Sequence, residues 1–287
     1  MAAPEDPDIV DQIRKAASKR VRADGSGYES LGLVEAGAIA ARLGRPVRHI
    51  ETAALAQGIV PEKYSRNLTA LSPDDQIVLA RAAVAVVGVG GLGGNVTEML
   101  ARIGVGRLTL IDADRFEESN LNRQVLCTPD CLGRLKAEVA SERVATVNAS
   151  VTAIACALRL DDTNARSVLA GHQVVVDCLD NLPDRLVVEK ACRDNGIALV
   201  SAAVAGYCGQ LTVVFPGDRG LGAIYGDATG STTGVEAHLG NLAFTVGVMA
   251  GLQCAEVINV LLHAHSPLRH RVLVMDLGDA TVEVVVL

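Results

Sequence analysis

The hydrophobic positions divide the chain into two regimes. Through residues 1–60 they recur three and four apart among polar neighbours, the period of amphipathic helices. This predicts a short charged helix over 9–21, carrying Arg14, Lys15, Lys19 and Arg20, and two more over 33–43 and 47–57. Asp24-Gly25-Ser26-Gly27 breaks the first from the second. Gly44-Arg45-Pro46 turns the second into the third, with Pro46 placed to start it, and Gly58 with Pro61 ends the set. From Ala82 onward the pattern changes to short, continuous apolar runs alternating with helical periods. Val84-Ala85-Val86-Val87, ending in glycines, reads as a parallel strand buried on both faces. Strands are predicted over 84–87, 108–111, 151–156, 174–176 and 198–202, and helices over 92–102, 135–147, 163–169 and 185–195. Repeated β-α-β units of this length predict an α/β fold with a doubly wound, mostly parallel, Rossmann-like sheet. A strand over 209–215, a long helix over 239–262 and a hairpin over 271–275 and 281–286, turning at Gly278-Asp279, predict a C-terminal antiparallel extension.

Composition narrows the classes this chain can belong to. Its 287 residues suggest one large domain, 61–287, and a small helical N-terminal region, 1–60. Hydrophobic residues at 49% and charged residues at 21% suffice for a full core. Aromatic residues are only 2% and Trp is absent, so the core is aliphatic and few rings remain for stacking bases. With a net charge of −7 there is no global basic footprint, and no nucleic-acid partner is expected. The helix pair around Gly44-Arg45-Pro46 has the outline of a DNA-binding helix-turn-helix, but a packing or docking appendage accounts for the same pattern. The seven cysteines are odd in number, scattered, and contain no CxxC pair, which fits a reducing cytoplasm rather than a disulfide framework. The acidic N-terminus lacks a signal-peptide core. Gln253, Glu256 and Asn259 make the longest apolar helix read as buried core, and no membrane partner is expected.

Candidate chemistry concentrates at the ends of predicted strands. Gly88-Val89-Gly90-Gly91-Leu92-Gly93 follows a strand and opens a helix, the setting in which glycines allow a tight turn and backbone N–H groups approach phosphate. Asp112 lies about 20 residues beyond, at the end of the next strand, where an acid holds ribose hydroxyls. This pattern suits NAD and ATP alike. The following stretch, Asp112-Ala113-Asp114-Arg115-Phe116-Glu117-Glu118-Ser119-Asn120-Leu121-Asn122-Arg123-Gln124, favours a triphosphate, because Arg123 offers a bidentate fork to phosphate oxygens and Lys136 a second positive charge. Asp180, in Asp177-Cys178-Leu179-Asp180-Asn181, sits beyond another strand end and is placed either to hold Mg²⁺ through one carboxylate or to cap the helix after Pro183.

Together these segments resemble the ThiF/MoeB/HesA family, relatives of ubiquitin-activating enzymes. The resemblance runs from Tyr64 to the C-terminus on Tyr64-Ser65-Arg66-Asn67, the Gly88 loop, the Asp112 stretch, Gly133-Arg134-Leu135-Lys136, the Asp177 stretch, Gly209-Gln210-Leu211-Thr212-Val213 and Gly247-Val248-Met249-Ala250. It implies an ATP-dependent adenylyltransferase that activates the C-terminal glycine of a ThiS- or MoaD-like sulfur carrier protein. Carried over by residue, the loop of Gly88, Gly90, Gly91 and Gly93 would bind nucleotide together with Asp114, and Asp112 would bind the ribose. Asn120, Arg123, Gln124 and Lys136 would contact phosphates, and Asp180, beside Asn181, would hold Mg²⁺. Arg66 would reach the partner subunit's site as an arginine finger, which implies a homodimer. The aromatic-poor composition implies an adenine pocket walled by aliphatic side chains.

Two departures from the family pattern matter. Many members carry two CxxC pairs that bind zinc; here the segment 216–225 has neither cysteine of the first pair, so no zinc is predicted. The segment 217–241 has no Cys either, so no covalent sulfur link is expected there. The reaction would stop at the acyl adenylate and leave sulfur transfer to a separate donor protein. Cys178 reads as strand-end packing, and 226–240 reads either as a channel over the carrier's tail or as a connector. The remaining alternatives are a relative that adenylates a peptide or a modified tRNA base, a nucleotide-binding scaffold without turnover, and a dinucleotide-dependent oxidoreductase.

Overall fold

A computed structural model of the chain describes residues 7–226, 239–263 and 265–287. Most of the expected connector 226–240 lies outside the described residues.

The N-terminal region contains α1 (Pro7–Ala16), β1 (Ser18–Val21), β2 (Gly27–Leu31), α2 (Leu33–Leu43), α3 (Val47–Ala56) and β3 (Ile59–Pro61). The three helices are present, but the first stops at Ala16, five residues before its predicted end at Val21. The breaker cluster turns out to be a hairpin turn. Ser26 donates from its N–H and Oγ to Asp24 Oδ1 at 2.9 and 2.7 Å, and Gly25 takes a φ of 84°. That side-chain closure, which Asp and Ser favour in turns, pairs β1 antiparallel with β2, and β3 adds in parallel. The sheet and helices enclose a small aliphatic core including Ile9, Ile13, Leu31, Ile39, Ile50 and Ile59. In α3 the residues Ile50, Glu51, Ala53, Ala54 and Leu55 are buried. Arg48, near its start, donates to Gly106 O and to Thr152 Oγ1 at 3.3 Å. The helix that a helix-turn-helix would place in a groove is thus packed inward.

A further helix, α4 (Pro73–Arg81), follows. The apolar period had not indicated it, yet its start is fully specified: Pro73 is the first helical residue, and Ser72 and Asp75 form a reciprocal capping box at 2.9 and 3.1 Å.

The main sheet is built from β4 (Ala83–Val87), β5 (Arg107–Ile111), β6 (Thr152–Cys156), β7 (Val174–Asp177), β8 (Ala198–Ala205), β9 (Cys208–Val214), β10 (Arg271–Asp276) and β11 (Thr281–Val286). Their spatial order is β11-β10-β9-β8-β7-β4-β5-β6, parallel from β8 to β6 and antiparallel from β8 to β11. The connecting helices are α5 (Gly91–Ile103), α6 (Lys136–Val147), α7 (Ala165–Leu169), α8 (Leu182–Asn195), α9 (Gly222–Tyr225) and α10 (Ala243–His263). Alternation along the strands explains why both faces are covered. Val84, Val86, Leu108, Leu110, Val174 and Val176 pack with α5 and α10. Ala85, Val87, Val175 and Leu199 point the other way, to α7 and α8. Apolar side chains fully withdrawn from water in this way stabilise by about 1.5–3 kcal/mol each. The long helix α10 has the length and hydropathy of a membrane span, yet it lies in this core with Met249, Gln253 and Glu256 buried.

Candidate nucleotide-binding site

The strand order sets the place where a ligand fits. From β4 the chain winds outward through β5 to β6, then returns to β7 on the other side of β4. The connections part there, leaving the crevice that open α/β sheets use for ligands. Val87 at the end of β4 lies opposite both Ile111 and Asp177. The glycine loop, the Asp112 stretch and the Asp177 stretch therefore leave adjacent strand ends at one level. They border a cavity of about 410 Å³. Its apolar wall includes Val87, Leu92, Ile111, Leu158, Leu160 and Val246, and no aromatic residue is among the described residues lining it.

Close approach, rather than flexibility, dictates the glycines. Gly88 has a φ of 84°, and a Cβ there would lie 2.9 Å from the carbonyl oxygen of Cys178 on the neighbouring loop. Gly90 and Gly91 line the cavity at the start of α5, where no side chain caps the helix. Backbone N–H groups at such an uncapped start suit an anion. Gly93 is not part of the lining; a Cβ on it would fall 1.8 Å from Gly88 O, so it lets the helix lie against the loop. Asp112 ties its own loop to this one. Its Oδ2 accepts from Val89 N–H at 2.7 Å and its Oδ1 from Asp114 N–H at 2.8 Å. Burial nevertheless outweighs these bonds and the nearby Lys136, raising the carboxyl above the usual aspartate range.

The cations lining the cavity are Arg123, Lys136, Arg185 and Arg159, the last paired through Nη2 with Asp184 Oδ1 at 2.7 Å. Arg123 Nη1 donates to Ser119 O at 2.9 Å and Asn122 Oδ1 at 2.8 Å. Lys136 opens α6, is only 8% exposed, and pairs through Nζ with Asp114 Oδ2 at 3.0 Å. Asp114 thus acts here as the partner of the lysine. Gln124 is buried beside Gly90, and its Oε1 has no hydrogen-bond partner among the described residues. An enclosed amide left in this state is a place for a ligand donor. Asn120 does not line the cavity: its Oδ1 accepts from Glu117 N–H at 3.1 Å, closing its own turn.

On the β7 side, Asn181 caps α8 by accepting from Asp184 N–H at 3.0 Å. Asp180 is consequently released from capping and lines the cavity, its carboxylate engaged by Asn181 Nδ2 at 3.2 Å. One exposed carboxylate on a cavity that also carries Arg123 and Lys136 is a donor set that suits Mg²⁺, which takes most remaining ligands from phosphate and water. Among the described residues no group of three or more His, Cys, Asp or Glu is placed to hold a metal.

The support beneath this loop is not marked by any motif in the sequence. Asp177 is fully buried, accepting from Ser201 Oγ at 2.6 Å, Arg185 Nη1 at 3.2 Å and Leu179 N–H at 3.0 Å. Arg185 also donates to Ala202 O at 2.9 Å and to Leu179 O, and borders the cavity. The signal available was a strand-end Asp inside an apolar run, which demands a buried cation nearby. Arg66 lies elsewhere. It is exposed, and its neighbours Tyr64 and Asn67 are fixed at the far end of α5: Tyr64 packs on Gly104, and Asn67 Nδ2 donates to Gln76 Oε1 at 3.2 Å. The 13 residues of α5 put roughly 20 Å between that end and the glycine loop.

Residues 64–286 match the profile of the ThiF family. The chain belongs to that family. It is 37% identical over 233 residues to the SAMP-activating enzyme E1 of Haloferax volcanii, covering 78% of this chain and 84% of that protein. It is 36% identical over 221 residues to the molybdopterin-synthase adenylyltransferase of Salmonella typhimurium, covering 75% and 87%. With the sulfur carrier protein adenylyltransferase of Thermus thermophilus it shares 34% over 238 residues, covering 77% and 84%. Among solved structures, E. coli MccB with ATP superposes with a TM-score of 0.67 at 23% identity, over 78% of this chain and 70% of that one. That likeness establishes a common fold over 78% of this chain.

Proposed function

We propose that this chain is an ATP-dependent adenylyltransferase that activates the C-terminal glycine carboxylate of a ubiquitin-like sulfur carrier protein of the ThiS/MoaD kind, releasing pyrophosphate. The observation that carries this reading is the convergence of the glycine loop, Asp112, Arg123, Lys136 and Asp180 on one cavity at the switch point of the sheet. The resemblance of the same region to three proteins named for activating or adenylating such targets supplies the acceptor.

In this reading adenine lies against the aliphatic wall and Asp112 accepts from the ribose hydroxyls. The N–H groups at the start of α5, Arg123 and Lys136 take the phosphates, with Lys136 exchanging Asp114 for a phosphate oxygen. Asp180 would hold Mg²⁺, which supplies charge neutralisation on the phosphates. A carboxylate oxygen of the carrier forms a bond to the α-phosphorus as the bond to the β-phosphate oxygen breaks. No protein nucleophile is needed, and the residues act by alignment and by balancing negative charge. Arg66 cannot span the length of α5 to its own cavity, which supports an arginine finger delivered to a second subunit of a homodimer. All seven cysteines are unpaired, which suits a reducing, cytoplasmic setting, and the lack of Cys in 217–241 suits sulfur transfer by a separate protein.

Arg123→Ala should lower carrier-dependent ATP–pyrophosphate exchange by about 10²–10³-fold. The dimer mass measured by light scattering should not change. Undiminished exchange in this variant would remove Arg123 from the phosphate site.

A further inference from the structure

The matched family region starts at Tyr64, so it leaves the role of the N-terminal module, residues 7–61, unassigned. Three of the four residues between the module and Arg66, namely Glu62, Lys63 and Tyr64, are tied through their side chains to residues distant in the chain. The Glu62 carboxylate accepts from Tyr28 Oη at 3.1 Å and from Ser30 Oγ, both on β2. Lys63 Nζ pairs at 2.8 Å with Glu51 Oε1 of α3, and donates to Asn148 Oδ1 at 2.7 Å and Ser150 Oγ at 2.8 Å in the main domain. Tyr64 is 3% exposed; its Oη accepts from Asn148 Nδ2 at 2.9 Å, and its ring lies so close to Gly104 that a Cβ there would come within 2.5 Å of Oη. Glu51 is 4% exposed, and Lys63 is the cation that pairs with it. Two residues beyond this three-point anchorage stands Arg66, exposed and without a hydrogen bond or ion pair to any described residue. A long side chain that must reach a neighbouring subunit loses less freedom on binding when its backbone is already fixed.

We propose that the N-terminal module is a positioning device for Arg66, with Glu51 and the Tyr28–Ser30–Glu62 cluster as its positioning residues. The proposal rests on the adenylation reading, because it treats Arg66 as the group that the module aims. It gives the module a purpose that neither DNA binding nor passive packing requires: a change within 7–61 alters turnover at the cavity of another subunit.

The test uses the full-length protein. Glu51→Gln, and separately the pair Tyr28→Phe and Ser30→Ala, should lower kcat of carrier-dependent exchange by about tenfold, because small misplacements of a charge-stabilising group are costly. The KM for ATP should stay the same, since neither set touches the nucleotide cavity. A protein carrying Arg66→Lys should lose little more, within roughly twofold, when Glu51→Gln is added, as expected for residues acting through one group. Hydrogen exchange of the backbone amides at 65–68 reads the positioning without turnover and should quicken in both sets while the glycine loop is unaffected. Unchanged amide exchange at 65–68, or a kcat loss of the same size in the Arg66→Lys protein, overturns the proposal. Unaltered turnover by Arg66→Lys alone, alongside quickened amides, instead removes the arginine finger from the adenylation reading.

Discussion

Asp112 joins two roles that pull against each other. In the proposed reading it accepts from two ribose hydroxyls, which the ionised form does best, yet burial raises its pKa above the ordinary 3.8. As pH falls through that raised value the carboxyl becomes protonated and loses acceptor strength. ATP affinity, measured by titration calorimetry, should therefore fall on acidification from a higher pH than an exposed aspartate would give. Asp112→Asn should be weak and flat over the same range; a wild-type affinity that stays level would contradict the ribose role. Arg185 carries a different expectation. Arg185→Met strands the fully buried Asp177 and should destabilise the protein by about 3–5 kcal/mol in denaturant unfolding. A loss under about 1 kcal/mol, the scale of an exposed pair, would show that the pair is not structural. The place of Asp112, directly after β5, and of Asp180, in the loop after β7, on the cavity was legible because strand ends point to the crevice. Arg185 was not, because its value depends on Ser201 and Ala202, which only the β7–β8 pairing brings alongside. Asn120 stands off the cavity for a local reason: its side chain closes its own turn, the competition for nearby backbone that Asn commonly enters.

At the scale of elements, the parallel strands were legible because they are buried on both faces and read as unbroken apolar runs. The β1–β2 hairpin was hidden, since all four residues of β1 are exposed and no alternation marks it. The helix α4 was missed for the opposite reason. Its apolar period is weak, while its start is written in Ser72-Pro73-Asp74-Asp75, a capping signature rather than a hydrophobic one. Helix pairing also has a pH signature. Glu98 of α5 accepts from Arg143 Nε at 2.7 Å and Nη2 at 3.0 Å on α6, which with help from Arg102 holds its pKa below the ordinary 4.5. The unfolded chain then binds the proton more readily than the folded one. The stabilisation is complete above about pH 4.5 and is lost as pH falls through the lowered value. Melting temperature should decline across that window. Glu98→Gln should reduce the decline and cost about 0.5–1 kcal/mol at neutral pH. An identical acid decline in the variant would assign the loss to other carboxylates.

For the whole molecule, composition and architecture explain each other. A chain with 2% aromatic residues builds its core from Val, Leu, Ile and Ala, and the nucleotide cavity inherits the same aliphatic wall. The net charge of −7 coexists with a cavity at one end of the sheet that sets Arg123, Lys136, Arg159 and Arg185 against Asp112, Asp114, Asp180 and Asp184, so in the proposed reading the phosphates compete with these carboxylates for the cations. The N-terminal module, α-helical in pattern but tied together by a small sheet, meets the rest of the protein through Arg48 at Gly106 and Thr152 and through its bonds to Glu62 and Lys63, just before Arg66. The central claim is that these parts serve adenylation of a carrier's terminal glycine. ATP–pyrophosphate exchange with the purified protein, Mg²⁺ and a ubiquitin-like sulfur carrier tests it most directly. Exchange that appears with the intact carrier and vanishes when its terminal Gly-Gly is removed is the predicted result. Exchange that is absent with a panel of such carriers, or indifferent to the terminal glycines, would contradict it.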